Sequence, residues 1–291
     1  MAKPFKKVKT LKIDRRLLYS GLLIGSLLLG CQAEIEKLDG DWHENRSVDL
    51  VEKTYPKIEQ SIPWDDFTQK PKEWGENVRG VKTSFETTSQ EMALTFDACG
   101  GPFGNSYDEE LIAFLRTEQI PATLFVNERW ILENETTFLD LEEDPLFQIE
   151  NHGTEHLPLS VSGGEAWGIP ATSSPEEAYE EIMNNHASVK RLTGKNMSLF
   201  RSGTAYYDEV AVELAEALGY QVVNFDILGD AGATYSADQV KNALLKAKAG
   251  SIALLHMNQP NSETAEGVRR ALPLLQERGF EFVQLKDQQL K

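Results

Sequence analysis

Cysteine, positive charge and long apolar runs are all scarce in this chain, and each scarcity removes a class of protein. Only two cysteines occur in 291 residues, Cys31 and Cys99, so no disulfide framework builds the fold. Lysine and arginine number 29 against 46 acids, a formal charge of −17. Such a surface repels phosphate, which makes nucleic acid and anionic membrane surfaces poor partners for the body of the protein. The one extended uncharged run, Leu17 to Gly30, has 14 residues, too few for a membrane span. No internal repeat is visible, and the absence of a G-x-S-x-G sequence leaves no support for a serine hydrolase.

What is present fits a globular chain, with 41% hydrophobic and 26% charged residues and length enough for one large domain with appendages. The first 30 residues stand apart. Lys3, Lys6, Lys7, Lys9, Lys12, Arg15 and Arg16 form a positive segment ahead of the short apolar run, the pattern of a secretory signal peptide. It closes on Leu28, Leu29, Gly30 and Cys31, which resembles a bacterial lipobox. The resemblance implies cleavage before Cys31 and lipid on that residue. No intramolecular disulfide then remains, and Cys99 is a lone thiol. We read Cys99 as a small packing residue rather than a nucleophile or ligand, because nothing near it in sequence marks it as activated. Residues 31–88, interrupted by Pro56, Pro63 and Pro71, are expected to form a tether, with a short hairpin near Val81 to Phe85.

The domain is expected over 89–291, organised around EMALTFDACGGPFG at 91–104. An apolar run from Met92 to Phe96 ends on Asp97 and breaks into Gly100, Gly101, Pro102 and Gly104: a buried strand that delivers a carboxylate to its C-terminal end. Six more strand-like runs follow, at 122–126, 147–150, 198–201, 221–225, 251–256 and 280–285. Helical patterns alternate with them, at 107–119, 174–192, 207–219, 236–250 and 263–279. Seven strands alternating with helices predict an α/β fold with a parallel sheet or barrel, whose strand ends share one rim. At those ends stand Asp97, the segment Asn151 to His156, Arg201, the acids Asp226 and Asp230, and His256. His43 falls in the tether and His186 on a helical face, where a solvated histidine is expected. His152 and His156, four apart in a turn of helix, would project to one side and grip a Zn²⁺-like ion.

These residues carry a resemblance. TFDACGG, HGTEH, RSGTAYYD, FDILGD and LLH match in order the five motifs of the polysaccharide deacetylases, the carbohydrate esterases that include chitin and peptidoglycan deacetylases. The resemblance implies a distorted parallel (β/α) barrel of about seven strands. It also implies Asp97 as catalytic base, His152 and His156 as metal ligands, and Arg201 as the arginine that orients the base. His256 is implied as general acid, supported by Asp230, with Asp226 as the second candidate. The backbone near Thr204 would complete the oxyanion site, and Leu254 would pack the acetyl methyl group. The divalent metal is expected to be zinc, with cobalt, manganese and nickel as alternatives.

The chain departs from the pattern at three places. Ala98 stands where a second aspartate, a metal ligand, is usual. Ala231 replaces a tryptophan, and Ser202 and Gly203 replace prolines. The first departure leaves the third metal ligand open, allows Asp97 to be a ligand itself, and motivates a rival reading as an impaired carbohydrate-binding scaffold. HGTEH also fits the H-x-x-E-H of some metalloproteases, with Glu155 as base, but Gly153 and Pro158 argue against the helix that motif needs. The sequence therefore predicts a lipid-anchored deacetylase of an N-acetylated polysaccharide. It is expected to be a monomer on the extracytoplasmic side of a bacterial cell membrane.

Overall fold

The computed structural model describes residues 62–291. The signal segment, Cys31, His43 and most of the expected tether lie outside the described residues. Seven parallel strands form a curled half-barrel: β1 (Glu91–Ala98), β2 (Ala122–Val126), β3 (Phe147–Asn151), β4 (Leu199–Phe200), β5 (Gln221–Val222), β6 (Ile227–Leu228) and β7 (Ser251–His256). Their order across the sheet is β5-β4-β3-β2-β1-β7-β6, and β8 (Glu281–Phe282) pairs with the start of β1. The expected distorted barrel is the fold observed. Every run expected as a strand contributes one, and β6 is additional. The 198–201 and 221–225 runs shorten to two residues each.

The alternation of side chains along β1 divides the core. Leu94, Phe96 and Ala98 pack outward with the helices, whereas Ala93 joins Phe125, Leu199, Val223 and Ile252 in a separate inner cluster. Both faces are buried, which is why these strands read as continuous apolar runs. The flanking helices are α1 (Glu109–Thr117), α2 (Glu128–Glu133), α3 (Glu135–Glu143), α4 (Pro175–Thr193), α5 (Glu209–Ala217), α6 (Ala237–Leu244) and α7 (Thr264–Glu277). Side-chain caps from Asp108, Asn127, Ser174, Asp208 and Ser236 start five of them. Among the described residues, no helix is long and apolar enough to cross a membrane.

Three expectations change here. Residues 62–88 lie against the domain instead of standing free: Phe67, Val78 and Phe85 are buried, and Phe85–Glu86 pairs antiparallel with Gln289–Leu290 near the C-terminus. The expected hairpin near Val81 is absent from this stretch, since Lys82 bridges Val223 instead. Irregular spacing hid these contacts, because they fill separate gaps along the barrel and follow no helix or strand period. His186 is also buried, with Nδ1 against the Tyr220 hydroxyl.

Candidate active site

Arg201 forms the floor of the site. Its side chain is fully buried, and a buried guanidinium is tolerable only when its donors are satisfied. Nε donates to the Val223 carbonyl at 3.0 Å and Nη2 to the Asn224 carbonyl at 3.1 Å. Nη1 donates to Thr95 Oγ1 at 2.9 Å and to Asp97 Oδ1 at 2.7 Å. The cation also lies over the Phe125 ring, 4.1 Å from its centre. Thr95 and Asp97 share one face of β1, so a single arginine holds both. The second carboxylate oxygen, Asp97 Oδ2, is left 3.6 Å from His152 Nε2.

His152 and His156 do converge, with ring centres 5.0 Å apart and nearly perpendicular planes. The means is not the expected turn of helix. Residues after Asn151 form a loop, and His156 takes a left-handed backbone conformation with φ of 63°. That conformation is uncommon outside glycine and persists where neighbours over-determine it. Glu181, from α4, supplies the constraint: Oε2 accepts the Glu155 N–H at 2.9 Å and Oε1 accepts the Leu157 N–H at 3.0 Å, clamping both sides of His156. Gly153 makes room, since a Cβ there would come within 2.2 Å of Glu181 Oε1. A Cβ at Gly203 would likewise meet the His156 backbone at 2.3 Å, so the segment after Arg201 lies flat on the histidine loop.

The ring nitrogens are set for a cation. His152 Nδ1–H donates to the Arg201 carbonyl at 2.9 Å, which leaves the Nε2 lone pair facing the site. Burial lowers the pKa of His152, with Asp97 partly opposing, so the neutral ligand form is favoured. His156 Nε2 is enclosed and has no hydrogen-bond partner. Cys99 joins them, contrary to its expected role in packing. Its Sγ lies 3.8 Å from His152 Nε2, and donor atoms of Cys99, His152 and His156 all fall within 4.8 Å of one another. Burial alone would raise the Cys99 thiol, but the His156 and His256 imidazoles outweigh it and hold the pKa down at about 6. One orphaned imidazole nitrogen, one free lone pair and an acidic thiol form a donor set that fits a divalent transition metal.

The opposite wall is built by β7 and the loop after β6. His256 is the register partner of Asp97 on the adjacent strand. Its Nδ1 pairs with Asp230 Oδ1 at 2.8 Å, and Asp230 Oδ2 accepts the His256 N–H at 2.8 Å and the Thr264 hydroxyl at 3.0 Å. Burial opposes a charged His256, but Asp230 and then Cys99 raise its pKa well above the ordinary histidine value. Asp230 is conversely lowered, because His256 outweighs the effect of its burial. Asp226, the other candidate, is occupied at the start of β7, where it accepts the Ile252 N–H and the Ser251 hydroxyl, both at 2.8 Å.

These walls enclose a cleft of about 610 Å³ that Asp97, Cys99, His156, Thr204, Leu254 and His256 all line. Thr204 Oγ1 is buried there without a hydrogen-bond partner, and Leu254 supplies apolar wall. At the rim stand Phe103 and Trp167, 92% and 75% exposed, the latter at the turn of a hairpin pairing Glu165–Ala166 with Ile169–Pro170. Sequence reasoning missed Cys99, Glu181 and this aromatic rim. Cys99 alone had a readable signal: two residues beyond Asp97 on a strand, it shares that face.

Comparison with known proteins agrees with the fold. The polysaccharide deacetylase family model matches residues 85–223. A peptidoglycan N-acetylglucosamine deacetylase is similar in structure, with TM-score 0.60, 20% identity, and coverage of 71% of this chain and 91% of the other. A family 4 acetyl xylan esterase from Clostridium thermocellum, solved with cobalt, has TM-score 0.54 at 24% identity, covering 68% and 89% of the two chains. A CE4 family pseudoenzyme from Bacillus anthracis has TM-score 0.59 at 18% identity, with 70% and 67% covered. No curated protein matches the sequence. The family model over residues 85–223 and the half-barrel fold make the polysaccharide deacetylases the family that this chain resembles.

Proposed function

We propose that this protein is a metal-dependent hydrolase that removes acetyl groups from an N-acetylated polysaccharide. Peptidoglycan and chitin-like glycans are the candidate substrates, and a lipid on Cys31 would hold the enzyme at the extracytoplasmic face of a bacterial membrane. The observation that carries the reading is the meeting of Asp97, the His152–His156 pair and the Asp230–His256 pair around one cleft.

In this reading His152 and His156 hold the metal, which when bound supplies Lewis acidity to the acetyl carbonyl and to water. Arg201 fixes Asp97 so that Oδ2 faces the site, where it takes the proton of the attacking water. His256, kept protonated by Asp230, gives its proton to the departing amine. The Thr204 segment faces the position where negative charge develops, and Leu254 packs the acetyl methyl group. Phe103 and Trp167 offer exposed rings of the kind on which sugar faces stack, which suits an extended glycan crossing the cleft.

The test is acetate release from N-acetylglucosamine oligomers and from peptidoglycan, before and after chelation and with divalent metal restored. Release lost on chelation and recovered on metal addition supports the reading. Release indifferent to chelation removes the metal from it. Ala98 favours a second reading, an impaired scaffold that binds glycan without turnover, and glycan binding with no release under any metal would select it.

A further inference from the structure

We infer that Cys99 is the third protein ligand of the metal, so that the site is a thiolate–bis-imidazole centre and not a carboxylate–bis-imidazole one. The inference rests on the metal-dependent reading of the same cleft and names what replaces the carboxylate absent at Ala98. Ala98 cannot supply a donor, and its side chain faces the helical core, fully buried away from the cleft. The next residue leaves β1 on the face that carries Asp97, and the chain then turns at Gly100 and Gly101, both with positive φ. That turn presents Cys99 Sγ to His152 Nε2 at 3.8 Å, within the 4.8 Å span that also takes in a donor atom of His156.

Two further observations point to a ligand at this place. His156 Nε2 is shut off from solvent and bonded to nothing, although the loop that carries it is held in a left-handed conformation to bring it there. His152 spends its only ring N–H on the Arg201 carbonyl, so its other nitrogen offers a lone pair. Asp97, by contrast, has one carboxylate oxygen committed to Arg201. That commitment leaves the base role to Asp97 and the third ligand position to the thiol.

Chemistry follows from the donor set. A thiolate is a soft donor, and with two imidazoles it selects Zn²⁺ or Co²⁺ and disfavours the hard, oxygen-seeking Mg²⁺, Ca²⁺ and Mn²⁺. The centre should therefore discriminate among divalent ions more sharply than one built with a carboxylate.

The experiment is cobalt titration of the full-length protein, followed by absorbance. The expected result is visible ligand-field bands together with a near-ultraviolet thiolate-to-cobalt charge-transfer band, both unchanged in Cys31→Ser. Cys99→Ser should lose the near-ultraviolet band and weaken cobalt binding at least tenfold, and Cys99→Asp should recover binding without the band. The wild-type spectrum alone decides the matter even where a variant folds poorly. Cobalt bound in a His156-dependent way with no charge-transfer band, or with a band that survives Cys99→Ser, overturns the thiolate assignment while leaving the metal reading intact. No cobalt bound by the wild type overturns both.

Discussion

On the wall formed by Asp230 and His256, three hydrogen bonds close around one carboxylate, and they come from the His256 ring, its backbone and Thr264. On the facing wall, His156 Nε2 has no partner and the His152 Nε2 and Cys99 sulfur meet only at 3.8 Å. The first wall is complete as protein. The second is a set of donors gathered by a left-handed backbone and by Glu181, and in the proposed reading a metal completes it. In the proposed reading, protein-internal bonds prepare the proton donor, whereas the opposite wall depends on a bound metal.

The sharpest way to break this contrast is His156→Ala. Bound divalent metal, measured by elemental analysis after desalting, should be lost, and acetate release should fall below detection. Metal retained at full stoichiometry would move the site elsewhere. His256→Ala should instead keep the metal while turnover falls by about 10²–10⁴-fold, and joint loss of metal and activity would make this histidine a ligand.

A milder change tests the support of that acid. In Asp230→Asn the raised pKa of His256 loses its main cause. The acid acts when protonated, so activity persists above the ordinary histidine range and declines as pH rises through the raised value. In the variant that alkaline decline should begin at lower pH, and an unmoved pH profile would remove His256 from proton transfer. The stability contribution has the same sign: it is fully present below the unfolded-state histidine value and is lost as pH rises through the folded one.

The smallest expected effect on turnover comes from beneath the histidine wall. Glu150 is raised to about 7 because burial outweighs the hydrogen bonds it accepts. A proton held in the folded state stabilises it fully below the unfolded value near 4.5, and this is lost as pH rises to about 7, an effect of at most about 3 kcal/mol. Glu150→Gln keeps one oxygen for the Ser198 and Leu199 N–H groups. Denaturant midpoints at pH 5 and pH 8 should therefore lie closer together in the variant. An unchanged gap would show that Glu150 does not titrate across this interval.

Much of this architecture was legible because each long strand is an apolar run that stops at a polar residue, and parallel strands put those stops on one rim. Asp97, His152, Arg201 and His256 were found that way. Asp230 could not be separated from Asp226 by sequence, since both follow the same strand and only the register of β7 tells them apart. Glu181 was invisible for another reason: it lies on an acidic helix whose sequence reads as a solvated face, and its function is to hold a loop more than twenty residues earlier. The residues 62–88 read as linker because their prolines and polar residues obscure the few buried side chains that dock them. The placement of Cys99 at the cleft was legible not from its neighbours in sequence but from the strand face it shares with Asp97.

The enclosure of Arg201 has a consequence for how such a protein can change over generations. Substituting Asp97 with an apolar residue would strand a guanidinium in the barrel without its counter-charge, at a cost of about 3–5 kcal/mol, which is comparable with the whole stability of many domains. The carboxylate proposed as base is thereby also one that the fold cannot lose cheaply. Position 98 carries no such debt: Ala98 is buried in the hydrophobic core, and Cys99 already lines the cleft. On the proposed reading, a lineage built on this barrel is free to exchange its metal ligands one at a time, while its base is inherited with the fold.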